Sequence, residues 1–80
     1  MSKVILVHAE WCKFCPSAMK FWKDLKTELD FDYEEVDIDS DKGQQLASEY
    51  SVMSVPTTII DDEVAFVGVP DKEEALEKLS

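Results

Sequence analysis

Val4-Ile5-Leu6-Val7 is apolar at every position. Successive side chains of a strand point to opposite faces, so a strand built from this run has no face suited to water. It belongs in the middle of a parallel sheet, buried on both sides. The residues that follow supply the helical connection. Ala18, Trp22, Leu25 and Leu29 recur at spacings of four, three and four, one face of a helix running from about Lys13 to Leu29. Lys20, Lys23 and Lys26 fall largely off that stripe. Pro16 lies in the first turn, where a missing N–H costs little.

Downstream, Phe31, Tyr33, Val36 and Ile38 alternate with acids, but the apolar phase changes between Tyr33 and Val36. A bulge or a late-starting strand accounts for that change. Asp39-Ser40-Asp41 offers N-caps for a helix of about Lys42 to Tyr50, which Gly43 weakens. Thr57-Thr58-Ile59-Ile60 reads as a strand, Asp61-Asp62 as a turn and Val64-Ala65-Phe66-Val67 as the second arm of a hairpin. Asp71 and Glu74 form a capping-box-like start to a last helix with Ala75, Leu76 and Leu79 on its apolar face. The order is β-α-β-α-β-β-α. The first two strands are expected to be parallel through a right-handed βαβ unit. Eighty residues make one small α/β domain, a four-stranded mixed sheet flanked by three helices.

Cys12 and Cys15 are the only cysteines, and they open the first helix. Two thiols so placed can share one disulfide and exchange it with other proteins. As a staple such a bridge is poor, because it closes a very short loop. A structural zinc site usually wants four ligands, and one chain offers two cysteines and His8, so zinc requires a dimer. Two inert buried cysteines are the third reading. No signal-peptide pattern and no membrane-length apolar stretch is present in the sequence. The expected location is cytoplasmic, where paired cysteines are more often catalytic, redox-sensing or metal-binding than structural.

The pattern resembles the thioredoxin superfamily over nearly the whole chain. Two marks carry the resemblance: the helix-opening Trp11-Cys12-Lys13-Phe14-Cys15, and Ser54-Val55-Pro56-Thr57 before the third strand. The length is similar to that of a glutaredoxin, while Ala9-Glu10-Trp11-Cys12 looks like thioredoxin proper. The resemblance implies a dithiol–disulfide oxidoreductase with Cys12 as nucleophile and Cys15 as resolving thiol. It implies a cis Val55–Pro56 bond packed beside the cysteines, leaving the Val55 main chain for an extended substrate. Helix N-terminal N–H groups and Lys13 favour the Cys12 thiolate. Trp11 and Phe14 flank the thiols as substrate contacts, each with a core role as the alternative. Met53 and Val69 border the same patch or serve packing. His8 tunes ionisation or shuttles a proton, or is a strand-end polar residue.

Two departures from the family pattern stand out. Thioredoxins usually carry a buried Asp where this chain has Leu6, and the lysine that accompanies it is replaced by Glu35. The group that assists Cys15 is therefore open among Glu10, Glu35, His8 and water. Glutathione-binding marks are incomplete: Gly68-Val69-Pro70-Asp71 lacks a Gly-Gly pair, and there is no arginine. The expected electron donor is thioredoxin reductase. Glutathione is the alternative donor, and a redoxin serving ribonucleotide reductase the alternative role. No tightly bound cofactor is required beyond the Cys12–Cys15 disulfide, and a monomer is expected. From a different class, a binding module that keeps the fold as a subunit or adaptor stays open.

Eighteen acidic residues against eight lysines give a formal charge of -10. Phosphate binding needs a basic footprint, so neither nucleic acid nor an anionic membrane surface is an expected partner. The acidity serves solubility, or steers the chain towards a basic patch on a partner protein.

Overall fold

Two core layers on opposite faces of one sheet organise the chain. A computed structural model describes residues 2–79. The elements are β1 (Lys3–His8), α1 (Cys15–Glu28), β2 (Asp32–Asp37), α2 (Asp41–Glu49), β3 (Thr57–Ile60), β4 (Glu63–Val67) and α3 (Lys72–Leu79). The strands are ordered β2-β1-β3-β4. β1 pairs parallel with β2 and antiparallel with β3, and β3 pairs antiparallel with β4, so the sheet is mixed.

The all-apolar β1 occupies the interior of the sheet, and Val4, Leu6 and Val7 are fully buried. Val4 and Leu6 face α1 and α3, packing with Ala18, Trp22, Leu25, Phe31, Phe66 and Ala75. Val7 faces α2, with Val36, Leu46 and Ile59. Trp22 anchors the first layer. Its ring meets Phe21 and Phe31 edge-on, and its indole N–H donates to Thr58 Oγ1 at 3.1 Å. That bond satisfies a polar group that would be costly to bury alone.

Several local expectations shift. α1 starts at Cys15 rather than Lys13, because Phe14 takes the N-cap position. It ends at Glu28, and Leu29, expected on the buried stripe, is an extended C-cap residue that is exposed. Leu76 is likewise exposed, and Ala75 with Leu79 carries the packing of α3. The register of β1 with β2 runs unbroken from Lys3↔Asp32 to His8↔Asp37, so β2 has no bulge there. The phase change has another cause: Tyr33 packs on the α1 layer and Val36 on the α2 layer. Strand pairing begins only at Asp32, so Phe31 is buried ahead of the strand. The irregularity in the sheet lies instead between Thr58 and Ile59 against β4. Ser40 caps α2, accepting from the Gly43 N–H at 3.0 Å. Asp71 accepts from the Glu73 N–H at 3.1 Å at the start of α3.

Gly43, which in isolation weakens a helix, is required by packing. A Cβ there would lie 1.9 Å from the Asp37 carbonyl oxygen and 2.8 Å from the Ile38 Cα. Both are main-chain atoms, so α2 would have to move away from the end of β2. Gly→Ala in an open helix normally gains up to about 1 kcal/mol. Here overpacking of about 1–3 kcal/mol dominates. Gly43→Ala is expected to lower the denaturant midpoint; an unchanged or raised midpoint would mean that the contact is not tight.

Candidate active site

The turn between β1 and α1 holds both cysteines. Ala9 is buried and its carbonyl accepts from the Cys12 N–H at 3.2 Å, folding the chain back before the helix begins. Cys15 is the first residue of α1, and Pro16 follows where no N–H is needed. Cys12 and Cys15 are joined by a disulfide, with Cα atoms 5.4 Å apart. They pack with Ala9, Ile38 and Val55. The two sulfurs differ in access: Cys12 is 9% exposed and Cys15 1%. Phe14 at the N-cap offers no side-chain acceptor to the first turn of α1. The N–H dipoles of that turn therefore remain available to an anion at the helix start.

Val55 and Pro56 lie on the other side of the pair. The Val55–Pro56 peptide bond is cis, as the resemblance implies. Pro56 is buried, and its carbonyl accepts from the Gly68 N–H at 2.8 Å. The Thr57 hydroxyl donates to the Ser54 carbonyl at 2.7 Å, which fixes the turn. Among the described residues the Val55 main chain makes no hydrogen bond, although its side chain packs against both the cysteines and the α2 layer.

Trp11 and Phe14 are 70% and 66% exposed, so the core alternative fails for both. Trp11 is nevertheless held in place. Its indole N–H donates to Asp39 Oδ2 at 3.2 Å, across from the β2–α2 connection. Sequence reasoning missed Asp39 as a partner, since it read the residue only as a candidate helix cap. Met53 and Val69 are also exposed. Lys13 is exposed beside Cys12. His8 ends β1 half-buried, in phase with Leu6 on the sheet, and its carbonyl accepts from the Ile38 N–H at 2.7 Å.

Leu6 is fully buried among apolar neighbours, and its partner in β2 is Glu35. The Glu35 carboxylate accepts from the Tyr33 hydroxyl at 2.8 Å and lies 3.7 Å from Lys23 Nζ. Burial, and then the Glu35 carboxylate, push the Tyr33 hydroxyl well above the usual tyrosine range. Glu35 is thus engaged away from the thiols. Glu10 is exposed. Among the described residues no group of three or more His, Cys, Asp or Glu side chains gathers to hold a metal ion.

A helix-opening disulfide stands against a cis-proline turn. A family profile described as thioredoxin domain covers residues 2–80. The chain belongs to the thioredoxin family. It is 32% identical to a thioredoxin of Methanocaldococcus jannaschii over 77 residues, covering 96% of this chain and 91% of that protein. It is 37% identical to a probable thioredoxin of Methanothermobacter thermautotrophicus over 71 residues, covering 86% of this chain and 81% of the relative. Among solved structures, a mutant thioredoxin from Halobacterium salinarum superposes with a TM-score of 0.76 at 30% identity. That match covers 98% of this chain and 70% of the other. Fasciola hepatica thioredoxin, 23% identical, has the same fold with a TM-score of 0.76 over 98% of this chain and 78% of its own. This thioredoxin-family chain is a dithiol–disulfide oxidoreductase whose redox group is the Cys12–Cys15 pair.

The difference in access predicts the order of chemical modification. After reduction, limiting iodoacetamide is expected to label Cys12 well before Cys15, read by peptide mass spectrometry. Equal labelling of both thiols in the folded protein would contradict the burial of Cys15.

Proposed function

We propose that this chain reduces disulfides of cytoplasmic proteins, with Cys12 as the attacking sulfur and Cys15 as the resolving one. The observation that carries the proposal is the asymmetry of the pair. Cys12 lies at the rim beside the unpaired Val55 main chain, and Cys15 is sealed in the first turn of α1. In the reduced protein the Cys12 thiolate is favoured by the uncapped helix start and by the nearby positive charge of Lys13.

The Cys12 thiolate attacks one sulfur of the target disulfide. The target S–S bond breaks, a Cys12–target bond forms, and the leaving sulfur departs as a thiolate that takes up a proton. Cys15 then loses its proton and attacks Cys12 Sγ. The mixed disulfide breaks, the Cys12–Cys15 bond forms, and the second target thiol is released. Two electrons and two protons have passed from the dithiol to the target. Glu35 is held by Tyr33 and Lys23, which leaves Glu10, His8 or water as the acceptor of the Cys15 proton.

The substrate is an extended segment whose main chain pairs with Val55 in the manner of strand addition. Pro56 supports that turn. Trp11, steadied by Asp39, and Phe14 supply apolar contact beside the target sulfur. Thioredoxin reductase is the electron donor. The relatives named as thioredoxins support this reading, and so does the absence of arginine and of a Gly-Gly pair that would suit glutathione.

Cys12→Ser is expected to lose insulin-disulfide reduction by about 100-fold or more. Undiminished activity in that variant would sink the mechanism. Oxidised wild type is expected to be reduced by NADPH with thioredoxin reductase faster than by glutathione with glutathione reductase. The reverse order would replace the donor assignment with a glutaredoxin-like one.

A further inference from the structure

Met53 is 95% exposed, more than any other large apolar side chain among the described residues. It lies in the connector between α2 and β3, two residues before Val55. The main chain is held on both sides of it. The Val52 N–H donates to the Ala47 carbonyl at 2.9 Å, and the Ser54 carbonyl accepts from the Thr57 hydroxyl at 2.7 Å. The thioether therefore projects into water from a fixed stretch of backbone. Met19 contrasts with it: that side chain is half-buried on α1 and packs against the layer around Trp22.

An oxidant must reach the sulfur to act on it, and only Met53 offers open access. Its Sδ lone pair attacks one oxygen of a peroxide. The O–O bond breaks, that oxygen stays on sulfur as the sulfoxide, and the other leaves as water or an alcohol. The sulfur loses two electrons and the peroxide gains them. A flexible apolar side chain becomes a polar one. Three exposed apolar residues lie within two positions of Cys12 or Val55: Trp11, Phe14 and Met53. Of these, only Met53 can change polarity in this way and be returned by a methionine sulfoxide reductase.

We propose that Met53 is a peroxide-sensitive modification site whose sulfoxide slows the reduction of protein disulfides by this chain. The proposal rests on the disulfide-reductase reading above and adds a means of regulating it. A protein segment lying along the Val55 main chain passes within two residues of Met53, about 7 Å of extended chain. The sulfoxide oxygen is a hydrated acceptor, and covering it with apolar surface costs free energy. A small disulfide that touches only Cys12 never meets it. The thiols keep their chemistry, so the sulfoxide selects by substrate size. Because Met53 buries almost none of its surface, its oxidation leaves the core intact.

The test treats the protein with tert-butyl hydroperoxide while Cys12 and Cys15 are joined and so protected. Peptide mass spectrometry is expected to find sulfoxide at Met53 well before Met19. The disulfide is then reduced, and the protein is assayed with insulin and with neutral hydroxyethyl disulfide. Peroxide is expected to slow insulin reduction about threefold or more and to leave the hydroxyethyl disulfide rate within about twofold. Methionine sulfoxide reductases acting on both epimers are expected to restore the insulin rate. Met53→Leu has no thioether at this position, so its insulin rate, whatever its starting value, is expected not to change on peroxide treatment. That variant also separates Met53 from the other methionines. Met53→Gln, polar without oxidation, is expected to show the slow insulin rate from the start. Oxidation of Met19 before Met53, an unchanged insulin rate with Met53 fully converted, or equal peroxide loss in Met53→Leu would overturn the proposal. An untreated protein that reduces neither disulfide would instead overturn the reductase reading beneath it.

Discussion

Val4, Leu6 and Val7 are completely withdrawn from water because β1 sits between β2 and β3 with helices on both faces. β2 pairs with β1 in parallel, and a parallel neighbour that follows in sequence demands a crossover connection. α1 supplies it. Its start is therefore held just beyond the C-terminal end of β1, and the turn between them must be short. Cys12 and Cys15 occupy that turn. The position of the disulfide follows from the short turn between β1 and α1, and the deeper burial of Cys15 follows from its place as the first residue of α1.

The antiparallel pairing of β1 with β3 brings the second half of the site. Val7↔Thr57 is the last pair of that ladder, so the turn before Thr57 arrives beside the end of β1. That register sets Val55 against Ala9, Cys12 and Cys15, although some forty residues of chain separate them. The Thr57 hydroxyl closes the turn onto Ser54, and the Gly68 N–H binds Pro56 from β4's far end. Helix start, strand end and proline turn converge from three segments, each positioned by the sheet. The buried acid that thioredoxins usually add to this arrangement is replaced by Leu6, which strengthens the core instead. The acid nearest in the sheet register, Glu35, is tied to Tyr33 and Lys23.

Much of this was legible in the residues. The continuous apolar run, the β-branched Thr57–Ile60 strand and the helix-opening cysteines are local signals that tertiary packing reinforces. What was not legible depended on neighbours distant in sequence. Leu29 fits the apolar stripe of α1, yet the helix ends one residue earlier and turns Leu29 outward. Tyr33 and Val36 look out of phase only if β2 has one buried face, whereas it has apolar partners on both. Gly43 reads as a helix weakness until the Asp37 carbonyl is found 1.9 Å from where a Cβ would stand. Trp11 carries no sign in the sequence that Asp39 will hold its indole, because no local pattern links residues on two different loops.

The proposed mechanism has Cys12 form the bond to the target and Cys15 break it, and trapping tests that division of labour most directly. Cys15→Ser, incubated with a disulfide-containing protein, is digested without reduction and the linked peptides are identified by mass spectrometry. A stable adduct through Cys12, persisting until external thiol is added, is the predicted result. No adduct under these conditions would contradict it, as would trapping through Cys15 in the converse Cys12→Ser protein at a comparable rate.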